Sequence, residues 1–227
     1  MSEPCIVAMG GAGPWGSGLD EEVLRLTGQV RPRVCYVPTA GGDRAEAVDA
    51  FHAGLGDRAQ TSVLALFVRE VEDIRSFLLD QHLIYVGGGN TANMLAIWRL
   101  HAVDVVLREA WLRGIVLAGV SAGANCWFEA CSTDSFGPHL APLNDGLGFL
   151  AGSFCPHYDG ELLRKPTYER WVAEGRAAGG ICGGRRGRAG VPRHRADRGG
   201  QRGRRRSRLP CGAERTAGAG GTSAVGG

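Results

Sequence analysis

From residue 5 to about residue 175, apolar runs of strand length alternate with stretches of helical periodicity. The runs are CIVAM (5 to 9), RVCYVPT (33 to 39), TSVLALF (61 to 67), HLIYV (82 to 86) and GIVLAGV (114 to 120). Between them lie the helical segments LDEEVLRLTG, DRAEAVDAFHAGL, VEDIRSFLLD, TANMLAIWRL and AVDVVLREAWLRG. Continuous apolar strands separated by crossover helices cannot pair as hairpins; they predict an α/β, doubly wound, mostly parallel sheet with helices on both faces. Sites in such sheets lie at the carboxyl ends of the strands. Further along, the spacing predicts a helix over AGANCWFEA (122 to 130), a loop from Cys131 to Pro142, a strand-like stretch from GLGFL to SFCPH, and an amphipathic helix at PTYERWVAEG.

A chain of 227 residues holds one such domain comfortably. It has no apolar run of about 18 residues and no basic and apolar leader at its start, so the expectation is a cytoplasmic protein that makes no membrane contact. The seven cysteines are odd in number, lack C-x-x-C pairs and sit largely in apolar runs. They are expected to be reduced thiols, with no structural metal.

The net charge of +3 conceals a split. Residues 179 to 227 hold twelve Arg and two acids, Asp197 and Glu214, a local charge of +10 that leaves −7 for residues 1 to 178. Composition there turns to Gly, Arg and Ala with few large aliphatic residues, which predicts a disordered tail following a catalytic domain over 1–178. Clustered Arg suits a nucleic-acid-binding tail. The preferred expectation is a frameshift product that replaces the last strands of the domain, because an offset reading of residues 180 to 192 can spell a turn followed by a strand. Nucleic acid is therefore not an expected partner.

The densest chemistry is Gly119-Val120-Ser121-Ala122-Gly123, a G-x-S-x-G where a buried strand meets a helix. Small residues on either side let the chain turn sharply and present the serine at the strand end, and the Ala122 amide at the helix start can hold an oxyanion. A serine here could instead only cap the helix. A serine nucleophile requires a base, usually a histidine. His52, His82 and His101 lie in or beside early elements, and His194 lies in the tail. His157, at the end of an apolar segment, is preferred over His139 in the loop FGPHLAPL. Asp134, in the polar turn STDS, is the expected orienting acid, with Glu129 second and Asp145 a further candidate, while Asp159 and Glu161 are expected to face solvent or substrate.

A second cluster, Gly87-Gly88-Gly89-Asn90-Thr91, also joins a strand to a helix. It and Gly11 to Gly16 fit dinucleotide fingerprints, but the second strand ends in Pro38-Thr39 without an acid for a ribose, and Glu109 falls inside a helix. Gly88 and Gly89 are better read as oxyanion donors, and no cofactor is expected.

Together, YVGGGNT, GVSAGANCWF about thirty residues on, TDSFG and CPHYD resemble the dipeptidase E and cyanophycinase family of serine peptidases. The resemblance runs from residue 5 to about 176. It implies a flavodoxin-like fold related to class I glutamine amidotransferases and a metal-free Ser-His-Asp/Glu triad, here Ser121, His157 and Asp134. It further implies hydrolysis of small peptides, dipeptides with an N-terminal aspartate, recognised by a basic side chain. Arg164 is the expected candidate, with Lys165 or Arg170 as alternatives, and Asn90 is a further expected substrate contact. Family members continue past PTYERWVAEG with a strand carrying an Asp-Gly pair that this chain lacks. Two other readings stay open: an α/β-hydrolase-type esterase, which shares the elbow and the order Ser, Asp, His, and a binding module that has lost catalysis. A monomer or a homodimer is expected.

Overall fold

The computed structural model describes residues 3–11, 19–177, 179–184 and 188–192. The central sheet takes its parallel strands from the five apolar runs: β1 (Cys5–Met9), β2 (Arg33–Val37), β3 (Gln60–Val63), β4 (Leu83–Val86) and β5 (Val116–Val120). Their order across the sheet, from one edge, is β3-β2-β4-β5-β1. Strands β2 to β5 keep the relative order of a flavodoxin-like sheet, and β1 takes the fifth place. This order sets the carboxyl ends of β4, β5 and β1 side by side, with Val86 opposite Gly119 and Met9 opposite Val120.

The buried apolar side chains of the strands divide between two layers by the two-residue period of the pleat. Ile6, Ala8, Cys35, Val37, Ile84, Val86 and Leu117 pack into the larger core, and Val7, Met9, Val34, Tyr36, Leu83, Tyr85, Val116, Ala118 and Val120 into the smaller. Helices α1 (Leu19–Arg25) and α2 (Ala45–Leu55) cover the smaller core through Val23, Leu24, Phe51 and Leu55. Helices α3 (Ile74–Leu79), α4 (Thr91–Leu100) and α5 (Val103–Leu112) cover the larger through Ile74, Leu78, Met94, Leu95, Trp98, Leu107 and Trp111. The doubly wound α/β arrangement expected from the sequence is thus the one formed.

Several boundaries differ from expectation, each for a local reason. The helix after Ser121, α6, stops at Asn125 (Ala122–Asn125), and Phe128–Thr133 is strand β6. At its start Phe128 is buried, Glu129 exposed and Ala130 buried, a two-residue step that suits a sheet rather than a helix, and Cys131 to Thr133 are buried between strands. With β7 (Ala141–Leu143), β8 (Leu150–Cys155) and β9 (Gly180–Cys182), β6 builds a second sheet of order β7-β6-β8-β9, whose Phe128, Cys131, Leu143, Leu150 and Phe154 join the larger core. Strand β3 ends at Val63, short of the expected Phe67, because the Asp43 carboxylate accepts hydrogen bonds from the Leu66 and Phe67 amides and draws the chain away from the sheet.

Folded structure also continues beyond residue 178. Strand β9 lies in the expected tail, and so does β10 (Arg188–Pro192), which pairs antiparallel with β1 at the sheet edge. The expectation of a disordered segment starting at 179 is corrected to that extent. Residues 193–227, with His194 and Cys211, lie outside the described residues, as do residues 12–16 of the first glycine cluster. Helix α7 (Arg164–Ala173) occupies the segment where a helix was expected. No helix among the described residues is long and apolar enough to cross a membrane.

Candidate active site

Ser121 follows the last residue of β5 with φ 53° and ψ −112°. A positive φ in a residue with a Cβ costs about 1–3 kcal/mol and persists only where the surroundings enforce it. Enforcement comes from both sides: the Ser121 amide donates to the Met9 carbonyl at 3.0 Å, and the Ser121 carbonyl accepts from the Ala124 and Asn125 amides at 3.0 and 2.8 Å. The flanking glycines of G-x-S-x-G are required by the same turn. A Cβ at Gly119 would lie 2.1 Å from the Gly123 carbonyl oxygen, and one at Gly123 would lie 2.3 Å from the Val86 carbonyl oxygen. The helix-cap reading fails, since the Ser121 side chain makes no capping hydrogen bond. Its Oγ lies 2.8 Å from His157 Nε2.

His157 stands on the turn after β8, also at φ 53°. Its amide donates to the Gly10 carbonyl at 2.7 Å, so consecutive carbonyls at the end of β1, Met9 and Gly10, receive the amides of Ser121 and His157. The other side of the turn is held by the residue after β9: Tyr158 donates its amide to the Gly183 carbonyl at 3.2 Å, and Gly183 donates to Cys155 at 2.9 Å. The imidazole is 23% exposed, which leaves it open to a substrate approaching Ser121.

The expected acids are placed elsewhere. Asp134 is exposed and sits 3.6 Å from Arg164 Nη2; Glu129 points outward from β6 and accepts from the Gly152 amide at 2.8 Å; Asp145 pairs with Arg99 at 2.7 Å. Among the described residues, Glu161 is a carboxylate beside the imidazole, with Oε1 3.9 Å from His157 Nδ1 and Oε2 accepting from Arg164 Nε at 2.7 Å. Glu161 is expected from the sequence to face solvent or substrate, and its side chain is indeed 48% exposed. Its spacing four residues after His157, across a single turn, was the available signal.

Two expected substrate contacts are likewise engaged by the protein. Arg164 is 3% exposed, and besides Glu161 and Asp134 it donates from Nη1 to the Ser132 carbonyl at 3.2 Å. A guanidinium buried and paired in this way is not free to meet a substrate carboxylate, which corrects its expected role. Asn90 caps α4 by accepting from the Asn93 amide at 2.9 Å and donates from Nδ2 to the Ser135 carbonyl at 3.0 Å. Lys165 and Arg170 are exposed on α7, Lys165 over the Tyr158 ring at 5.8 Å. A cation missed by the sequence reading is Arg44. It is exposed and has no ion-pair partner among the described residues, and a Cβ at Gly41 would lie 3.9 Å from its Nη2 and 3.4 Å from the Gly88 carbonyl oxygen.

Gly88 adjoins the nucleophile, as a Cβ there would lie 3.4 Å from Ser121 Cβ. Gly89 has φ +141°, and a Cβ on it would fall 2.0 Å from the Ala40 carbonyl oxygen, so only glycine fits. Ala122 supplies the first amide of α6, one of those a helix leaves without an intrahelical acceptor. His139 is exposed; the His82 Nδ1 accepts from the Arg33 amide at 2.9 Å, and the His52 Nδ1 lies 2.8 Å from Thr61 Oγ1. The nearby thiol of Cys131 is pushed up to about 12 by burial, which suppresses thiolate chemistry there. Among the described residues no group of three or more His, Cys, Asp or Glu is placed to hold a metal ion. A hydroxyl against an imidazole, beside glycine and helix-start amides, is an arrangement suited to acyl transfer.

Residues 6–189 match the model of peptidase family S51. The chain is 47% identical over 173 residues to the uncharacterized peptidase YgaJ of Bacillus subtilis, covering 74% of each chain. It is 28% identical over 142 residues to the peptidase E of Shewanella denitrificans, covering 60% of this chain and 58% of that one. Among solved structures, a peptidase E candidate from Listeria monocytogenes aligns with a TM-score of 0.56 at 20% identity, over 76% of this chain and 88% of that one. A peptidase from an acI-B1 Actinobacterium aligns at 0.54 and 18% identity, over 75% and 72%. At these identities the structural matches speak for the fold, and the family model and the Bacillus relative carry the assignment: the chain belongs to peptidase family S51 and is a peptidase, a hydrolase.

Proposed function

We propose that this peptidase is serine-type, with Ser121 as nucleophile and His157 as its general base. The observation that carries the reading is the 2.8 Å approach of Ser121 Oγ to His157 Nε2, made by a hydroxyl with no capping role. In the proposed reaction Ser121 Oγ attacks the amide carbonyl carbon as its proton passes to Nε2. The carbonyl oxygen becomes an oxyanion on the amides of Gly88, Gly89 and Ala122, and each such donor is typically worth about 10²–10³ in rate. His157 then protonates the leaving amine, and water, activated by the same imidazole, hydrolyses the acyl-enzyme. Glu161 is the carboxylate we assign to orienting the ring and stabilising the imidazolium, in place of Asp134.

The proposed substrates are dipeptides with an N-terminal aspartate. Support comes from the resemblance of the motifs to dipeptidase E and from the peptidase E relative. With Arg164 buried, Arg44 takes the role of the cation that meets the substrate carboxylate, through the Gly41 and Gly88 contacts that lead from it to Ser121.

The test is hydrolysis of Asp-Leu and Ala-Leu by the wild-type protein and by Ser121→Ala. Hydrolysis of Asp-Leu that the substitution lowers by about 10³-fold or more supports the reading. Equal turnover by Ser121→Ala refutes the nucleophile, and equal use of both dipeptides by the wild type refutes the substrate.

A further inference from the structure

Arg164 lies at the start of α7 and is 3% exposed, in a position where a charge is tolerated only when fully paired. Each of its three partners belongs to a segment that serves a different part of the site. Nη1 donates to the Ser132 carbonyl, which also accepts from Asn125 Nδ2 at 3.3 Å, and Asn125 ends the short helix that begins at the nucleophile. Nη2 faces Asp134, whose neighbour Ser135 receives Asn90 Nδ2 on its carbonyl and the Ala92 amide, at 3.2 Å, on its hydroxyl. Those contacts fix the start of α4, directly after Gly88 and Gly89. Nε donates to Glu161, the carboxylate beside His157.

One guanidinium therefore joins the nucleophile helix, the glycine loop and the base. Building on the function proposed above, we propose that Arg164 is a positioning residue, which holds Glu161 against the His157 imidazole and keeps the 132–135 segment in register with the glycine loop, without itself touching substrate. The planar fork of Arg suits this task, since it reaches three acceptors in fixed directions, whereas Lys offers a single point charge. A substrate-binding arginine would act mainly on KM. An arginine that sets the geometry of others acts on the chemical step, where a displacement of about 1 Å can cost 10²-fold.

The experiment compares wild type, Arg164→Gln, Arg164→Lys, Glu161→Gln and the double variant Arg164→Gln/Glu161→Gln, with Ser121→Ala as control. Two readouts are taken: kcat and KM on Asp-Leu, and the rate at which Ser121 is phosphonylated by a fluorophosphonate. In the second, the Oγ–P bond forms, the P–F bond breaks, fluoride leaves and the hydroxyl proton passes to His157. The inference expects Arg164→Gln to lower kcat and the labelling rate by about 10–10²-fold with KM changed far less, and Arg164→Lys to recover part of the loss. In the Glu161→Gln background the same substitution should have clearly less effect, as groups acting through one another are non-additive. If Arg164→Gln does not fold, the labelling rate of Arg164→Lys decides, being lowered if the inference holds and unchanged if it does not. A rise in KM with kcat intact, or full additivity with Glu161→Gln, overturns the inference and leaves the nucleophile assignment standing. Labelling that survives Ser121→Ala overturns the function reading itself, and this inference with it.

Discussion

Replacing Gly119 by alanine perturbs the nucleophile without touching any reactive atom. The added Cβ would lie 2.1 Å from the Gly123 carbonyl oxygen and 3.1 Å from the Ala124 nitrogen, both backbone atoms of the helix that starts at Ser121. Ordinary contact begins near 3.4 Å, so strand β5 and α6 must separate by about 1.3 Å. Val86, the partner of Gly119 on the neighbouring strand, also lies close against Gly123, so that separation disturbs the seat of α6 on β4 as well. Overpacking of this kind costs about 1–3 kcal/mol, and the same displacement moves Ser121 Oγ and the Ala122 amide relative to His157. A misplacement of about 1 Å is enough for a loss of about 10²-fold in kcat/KM. Urea denaturation gives the stability change, and fluorophosphonate labelling beside dipeptide hydrolysis gives the rate. The stability loss and the rate loss should appear together. A Gly119→Ala protein with wild-type stability and rate would refute the claim that close backbone packing sets the elbow.

Two other substitutions test the charges around the site and the sheet. Arg44→Gln should raise KM for Asp-Leu by about tenfold, close to 1.4 kcal/mol, and leave Ala-Leu unaffected; equal effects on both dipeptides would remove Arg44 from recognition. His82 has its pKa lowered, first by burial and then by the Arg33 charge, and its neutral Nδ1 accepts the Arg33 amide. A depressed folded-state value means that stability is complete above the ordinary value of 6.5 and is lost as pH falls through the depressed one. Urea midpoints measured across that window should fall more steeply for wild type than for His82→Asn, which keeps an acceptor but cannot titrate there; identical slopes would refute the assignment.

The sequence reveals the central sheet because four of its five parallel strands, β1, β2, β4 and β5, are buried almost throughout and read as uninterrupted apolar runs; the edge strand β3, QTSV, is half exposed and carries the weakest signal. The nucleophile elbow is equally legible, since glycine at both flanks of Ser121 answers a backbone approach that no other residue allows. The second sheet is harder to see. Trp127 and Phe128 continue the apolar pattern of the preceding helix, and only the short in-out step from Phe128 through Glu129 to Ala130 marks the change, since Ala130 to Thr133 are all buried. Side-chain partners are the least legible level. Asp134 and Arg164 were assigned to His157 and to substrate by their charge and their place in the chain, and they pair instead with each other across about thirty residues. Whether an arginine meets substrate or protein depends on burial, and the sequence around Arg164, ELLRKPTY, carries both apolar and charged neighbours.

Residues 180–184 show where composition and packing part. Their glycine-rich composition suggests disorder, yet Gly183 passes close against the end of β1: a Cβ at Gly10 would lie 2.1 Å from the Gly183 carbonyl oxygen, and one at Gly183 would lie 2.7 Å from Gly10 Cα. Glycine there serves close approach, which composition alone cannot distinguish from flexibility. The approach matters because both members of the serine and histidine pair stand at φ 53°, a conformation each must be held in. The Met9 and Gly10 carbonyls hold the two amides from one side, and Gly183 holds the histidine turn from the other. Two adjacent residues at the end of β1 thus act as a ruler that sets the spacing of the pair, and β9 closes the turn against it. The 2.8 Å between Oγ and Nε2 is therefore a property of three strand ends meeting, from residues 9–10, 155–157 and 183, rather than of the G-x-S-x-G motif alone.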